Sequence, residues 1–175
     1  MQVTTWTLEM LSPPTRPALA PPRGCEVRRV LQPALHFYRY LYETVGRDWL
    51  WVDRRRMDDG ALDAILRDPR VEVWVAWHDG SPAGYAELDA RVDGEVELAY
   101  FGLVPEMIGR GVGPWLLDLA VRRAWQIGTP RRVWVHTCSL DHPSARATYE
   151  RAGFVVHDVK EEAQPDPRPL PVRPR

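Results

Sequence analysis

The chain predicts one mixed α/β domain built on a mostly antiparallel sheet flanked by helices. Three observations predict it. The apolar period switches between two and about 3.6 along the chain, marking alternating strands and helices. Three period-two runs, VEVWVAW, AGYAELDA and VELAYFGLV, are joined by the short turns His78-Asp79-Gly80-Ser81-Pro82 and Val92-Asp93-Gly94, so they form an antiparallel meander. A length of 175 residues suits a single hydrophobic core.

In order, residues 3–9 (VTTWTLE) are β-branched and aromatic enough for a strand, and the following LSPPTRPALAPPRG is too rich in proline for regular structure. CEVRRV reads as a short strand. QPALHFYRYLYETVG carries Leu35, Tyr38, Leu41, Tyr42 and Val45 at helical spacing, with Gly46 as its stop. DWLWVDRRRM is irregular and aromatic, and DDGALDAILRDP is a short helix opened by Asp58 or Asp59 and closed before Pro69. The meander leads into a glycine-rich turn and a helix with an apolar stripe of Leu116, Leu117, Ala120, Val121, Ala124 and Trp125, ended by Gly128. RRVWVHTCS is a strand, HPSARATYERAG a helix closed by Gly153, and FVVHDV a last strand before a tail, QPDPRPLPVRPR, expected to be disordered or extended. The organisation is a strand plus linker over 1–24, a domain over 25–160, and a tail over 161–175.

A formal net charge of −1, from 24 acidic and 23 basic residues, gives no reason to expect nucleic acid or an anionic membrane as partner. Cys25 and Cys138 are the only cysteines, so no disulfide framework is required and a reducing compartment, the cytoplasm, is expected. No export signal or membrane-length apolar run is visible. His36, His78, His136, His142 and His157 lie on separate elements without metal-ligand spacing, so no metal is expected. His136 and Cys138 alternate with Trp134 on one strand face, a poor geometry for a nucleophile and its base, which argues against covalent catalysis.

The strongest chemical signal is Ile108-Gly109-Arg110-Gly111-Val112-Gly113. A strand running through glycines into a helix presents backbone N–H groups at the positive end of the helix dipole, which is a phosphate site. Gly113 fits the N-cap and Pro114 the first helical position. A dinucleotide fingerprint would need glycine where Pro114 stands, and a triphosphate loop would need G-K-[ST] where Val112-Gly113-Pro114 stands. A tight strand-to-helix connection that binds nothing is the structural alternative.

With this turn after a strand and before a helix, residues 97–154 resemble the core of the GCN5-related N-acetyltransferases, whose signature is R/Q-x-x-G-x-G/A. The element order matches over about residues 25–160. The resemblance implies a twisted sheet of about six to seven strands flanked by about four helices and splayed at the cofactor site. It implies acetyl-CoA as co-substrate, its pyrophosphate held by Arg110, Gly111, Val112 and Gly113 and its pantetheine by Leu103 and Val104. Ile108 stands where the family has Arg or Gln, so Arg110 is expected to supply charge in its place. HPSARATYERAGF resembles the family's N-x-x-A-x-x-x-Y-x-x-x-G-F, with His142 at the asparagine position. That alignment makes Tyr149 the general acid toward the departing thiolate.

An acceptor amine must first lose a proton, and holding a lysine-like amine neutral at pH 7 costs roughly 4.6 kcal/mol. Family members often place the base on the strand VELAYFGLV, acting directly or through water. Glu97 is the first candidate, with Glu95 and Glu87 in reserve. Strand alternation puts Glu95, Glu97 and Ala99 on one face, Leu98 and Tyr100 on the other. The early helices and their loop, His36 to Met57, are expected to cover the acceptor. Trp49, Trp51 and Tyr38 are the candidate acceptor contacts, although helical spacing also suits Tyr38 and Tyr42 to the core.

The implied function is transfer of an acetyl group to a primary amine, on a small molecule or a peptide, in a ternary complex of a monomer or homodimer. A non-catalytic acyl-CoA-binding module or a structural protein of the same fold is the alternative. The family ordinarily ends in two strands, whereas here one strand precedes the tail. The N-terminal strand is therefore expected to fill a vacant edge, in cis or in a partner subunit.

Overall fold

A computed structural model describes residues 1–168. Seven strands form one sheet: β1 (Gln2–Met10), β2 (Cys25–Val30), β3 (Val71–His78), β4 (Ser81–Asp89), β5 (Glu95–Leu103), β6 (Arg132–Cys138) and β7 (Val155–Ala163). Five helices accompany it: α1 (Leu35–Gly46), the single turn α2 (Asp53–Arg56), α3 (Asp59–Arg67), α4 (Val112–Ala124) and α5 (Ala145–Ala152). The sheet order is β2-β3-β4-β5-β6-β1-β7, antiparallel at every pairing except β5 with β6.

The N-terminal strand fills a place in the same chain, but not the edge one. β1 lies between β6 and β7 and pairs with both, leaving β7 as the edge. Its alternation explains this interior position. Leu8 and Met10 are buried against α4 and α5 in the core that also holds Leu117, Val121, Val133 and Phe154. β7 continues to Ala163, beyond the six residues expected, because β1 gives it partners as far as Gln2↔Ala163. Residues 164–168 follow without regular structure, and the rest of the expected tail lies outside the described residues.

The proline-rich segment after β1 has no helix or strand, yet it is pinned. Asp118, buried on α4, ion-pairs with Arg16 at 2.8 Å and accepts from the Leu19 amide at 2.9 Å. Arg122, one helical turn on, binds both Asp118 and the Arg16 carbonyl. A buried carboxylate needs such partners, and here the linker supplies them.

On the other side of the sheet centre, Tyr38, Leu41, Tyr42 and Val45 of α1 are buried with Leu62 and Leu66 of α3 against β3 and β4. Asp58 caps α3 by accepting from the Ala61 amide at 2.9 Å, which satisfies one of the free donors of the first turn. The stretch expected to be irregular before it contains a 3-10 turn at Arg47–Trp49 as well as α2.

Two local details differ from the sequence reading. Gly111, not Gly113, is the N-cap of α4, at φ 78°, and Pro114 is the third helical residue rather than the first. A run of alternating glycines does not reveal which one takes the left-handed backbone that turns the chain. In β5, Glu87 pairs with Tyr100 but Leu88 pairs with Leu98, so Ala99 is an extra, bulged residue. The bulge reverses the facing beyond it. Leu98 joins the core under α4 whereas Tyr100 packs on Tyr42 and Trp51, so the two residues are not on one face.

Candidate active site

β5 and β6 pair only over Glu95↔Arg132, Val96↔Val133 and Glu97↔Trp134, although β5 continues to Leu103 and β6 to Cys138. Beyond Glu97 the two strands part, and a cleft of about 930 Å³ opens between them. Its walls include Ala99, Phe101 and Leu103 from β5, His136 and Cys138 from β6, and Tyr149 from α5. The side of β5 that faces β6 therefore carries main-chain donors and acceptors with no strand opposite them, ready for an extended ligand.

At one end of this cleft stands the glycine turn. Gly109 and Gly111 both have φ near 80°, and a Cβ built on either would meet no atom within 4 Å, so their outer faces are open. No side chain caps α4. The amides of Gly111, Val112 and Gly113 thus lie at a helix N-terminus, where the first turn has no internal acceptors. Arg110 is exposed and makes no ion pair among the described residues. Leu103 lines the cleft, but Val104 does not: it is buried, and its amide donates to the Ala83 carbonyl at 3.0 Å. This geometry suits a diphosphate on the turn and an apolar arm running along β5.

Tyr149 is only 6% exposed, packed between Phe101 and Phe154, and borders the cleft. Its hydroxyl has no hydrogen-bond partner among the described residues, and burial pushes the phenol well above its ordinary pKa, reinforced by the Asp141 charge. It is therefore protonated at neutral pH and able to donate. Glu97, by contrast, does not border the cleft. Its Oε1 lies 3.2 Å from His136 Nδ1, and His136, with its side chain 52% exposed, does border it.

The reserve carboxylates are engaged elsewhere. Glu95 pairs with Arg132 at 3.3 Å. Glu87 is fully buried, salt-bridged to Arg54 at 2.6 Å and accepting from the Tyr38 hydroxyl. Burial raises its carboxyl and the Arg54 charge opposes that rise. Tyr38 is thus a core residue that fixes β4 to α1 and α2, and it does not touch the cleft.

Trp49 and Trp51 do line the cleft. Trp51 rests on Tyr42 and Tyr100, seated over Gly46, where a Cβ would come within 2.5 Å of its ring. Its indole N–H donates across the cleft to Asp141 at 3.0 Å, and Trp49 meets the His142 ring at 4.8 Å. Asp141 also accepts from Thr137 and the Cys138 amide, which fixes the loop between β6 and α5. The α1–α2 segment is therefore latched onto that loop over the cleft. Nothing in the local sequence announces Asp141, since its role depends on a residue 90 positions away.

Residues 38–154 match the family model of the acetyltransferase (GNAT) family. The chain belongs to the GNAT acetyltransferase family. An uncharacterized N-acetyltransferase of Mycobacterium bovis is 32% identical over 95 residues, which cover 54% of this chain and 60% of that protein. A mycothiol acetyltransferase of Acidothermus cellulolyticus is 33% identical over 87 residues, 50% of this chain and 25% of its own length. The chain thus spans less than two thirds of the length of these curated relatives. A GCN5-related N-acetyltransferase structure from Sphaerobacter thermophilus shares the fold with a TM-score of 0.64 at 19% identity, covering 91% of this chain and 51% of that one.

In this GNAT chain the family match begins after β1 and β2, yet Val3 and Thr5 of β1 line the cleft. Among the described residues no group of three or more His, Cys, Asp or Glu is placed to hold a metal ion, and no helix is long and apolar enough to cross a membrane.

Proposed function

We propose that the protein transfers an acetyl group from acetyl-CoA to a primary amine by direct attack in a ternary complex. The observation that carries this reading is the splayed cleft itself, with open helix-terminal amides at one end and Tyr149 bordering it beside Phe101 of the unpaired stretch of β5. The residues present fit the co-substrate. Gly111, Val112 and Gly113 would hold the pyrophosphate, with Arg110 adding charge in place of the family's side chain at Ile108. Leu103 and the free edge of β5 would hold the pantetheine arm.

When bound, acetyl-CoA supplies an activated acyl group. The chain's part is to hold the acceptor nitrogen against it and to manage protons. Trp49 and Trp51 form an aromatic wall on the acceptor side, suited to an apolar body or a cation. Tyr149 donates toward the leaving sulfur, and the proton shed by the amine leaves on the side of the cleft where Glu97 stands behind His136. Positioning the two reactants in one cleft removes most of the entropic barrier to their encounter.

Thiol release measured against a panel of small and peptide amines tests the reading. Amine-dependent release above the hydrolytic background is expected. Saturable acetyl-CoA binding without release would point to a binding module instead, and absence of binding would overturn the reading altogether.

A further inference from the structure

We propose that His136 is the catalytic base of this site and that Glu97 is the residue that positions it. The inference rests on the acetyl-transfer reading above and names a group that the family resemblance did not. Its foundation is the geometry of the splay. Glu97↔Trp134 is the last pair joining β5 to β6. His136, two residues on, is the next side chain of β6 on the same face and the first on that face to line the opening. Glu97 remains behind it in the paired part of the sheet, 24% exposed and absent from the cleft wall, while its carboxylate reaches His136 Nδ1 at 3.2 Å.

That contact assigns the imidazole its tautomer. A carboxylate at Nδ1 holds the ring proton there and leaves a lone pair on Nε2, which has no protein partner among the described residues. Cys138, Asp141 and His142, which also line the cleft, are less suited to accept a proton. Burial pushes the Cys138 thiol up, reinforced by Asp141. Asp141 is occupied by Trp51, Thr137 and the Cys138 amide. His142 accepts from the Ser144 amide through Nδ1 and carries Trp49 on its ring.

The acceptor ammonium gives one proton to His136 Nε2, and the freed lone pair forms the new C–N bond as the thioester C–S bond breaks. Of the three ammonium protons, one stays on the amide and one ends on the coenzyme A thiol through Tyr149. The third leaves through His136 to solvent. The imidazolium so formed faces carboxylates from three neighbouring segments: Glu97 on β5, Asp141 in the loop after β6, and Asp53 on α2. On β1 its register partner is Thr7, which does not titrate.

The sign of the pH dependence follows. The hydrogen bond to Glu97 raises His136 above its ordinary 6.5, against the opposing effect of burial. Only the neutral ring accepts a proton, so kcat/KM should be low in acid and climb as pH rises through that raised value. Removing the Glu97 charge should move this limb to lower pH.

The test is a pH profile of amine-dependent thiol release for the wild type, His136→Gln and Glu97→Gln, together with an NMR titration of the histidine resonances of the unliganded protein. His136→Gln, at a half-exposed position, should fold with unchanged circular dichroism, lose about 10²-fold in kcat and lose the acidic limb. Glu97→Gln should keep the limb but shift it, and the His136 resonance, missing from the His136→Gln spectrum, should shift equally. Added imidazole should restore part of the activity of His136→Ala. Turnover in His136→Gln within about threefold of wild type with the limb intact would overturn His136 as base. A His136 titration indifferent to Glu97→Gln would overturn the positioning role. Absence of wild-type turnover with every amine would instead overturn the acetyl-transfer reading, and with it any base.

Discussion

Tyr149 is held by packing rather than by a hydrogen bond. Phe101 and Phe154 clamp its ring, and the hydroxyl is left for a ligand. Tyr149→Phe should therefore leave stability and acetyl-CoA affinity nearly unchanged while lowering kcat about 10²-fold, the effect of losing one proton donor. Steady-state kinetics beside calorimetric acetyl-CoA titration checks this, and equal losses in affinity and rate would contradict it. Glu87 has the opposite character, being buried and shared between Arg54 and Tyr38. Glu87→Gln leaves the Arg54 charge without its counterion, and urea unfolding should show a loss of about 3 kcal/mol. Tyr149 was legible because a motif fixes its spacing from Gly153 and Phe154. Tyr38, Glu87 and His136 were not, because strand and helix periodicity assigns a face but not what stands opposite it. Tyr38 meets a carboxylate in the core, and His136 meets open space only because the neighbouring strand departs.

Among the elements, β1 is paired on both sides. It closes the gap between β6 and β7 and sends Leu8 into the core under α4 and α5. Leu8→Ala should cost about 3 kcal/mol by leaving a cavity in that core, measurable as a lower urea midpoint at unchanged slope. A cost under about 0.5 kcal/mol would mean that β1 is peripheral. The strands and the helices other than α2 were readable from local period, and α3 even from its Asp58 cap. Three features escaped that reading for one reason, which is that neighbours far along the chain determine them. The slot of β1 depends on two distant strands. The bulge at Ala99 shows only as a slip against β4, and the start of α4 depends on which glycine takes the left-handed backbone. The linker was readable as irregular, yet Asp118, the residue that holds it, lies about 100 positions onward on α4.

At the scale of the molecule, the glycine turn, the unpaired edge of β5 and the latch from Trp51 to Asp141 surround one cleft, opened by the loss of pairing between two parallel strands. On the function proposed above, this cleft grips the coenzyme by its pyrophosphate through main-chain amides, with Arg110 as an auxiliary charge. Arg110→Ala should weaken acetyl-CoA binding by a few-fold, roughly the contribution of one exposed charge-assisted contact. The distal control Arg28→Ala, on edge strand β2, should not. Calorimetric titration of the wild type is run with acetyl-CoA and with S-acetylpantetheine, which has the same thioester and arm but neither pyrophosphate nor 3′-phosphoadenosine, and with adenosine 3′-phosphate as the control for the nucleoside part. Acetyl-CoA should bind at least about 10²-fold more tightly than S-acetylpantetheine, as expected when several charge-assisted amide contacts are lost together. Equal affinity for the two, or no binding of acetyl-CoA, would contradict it.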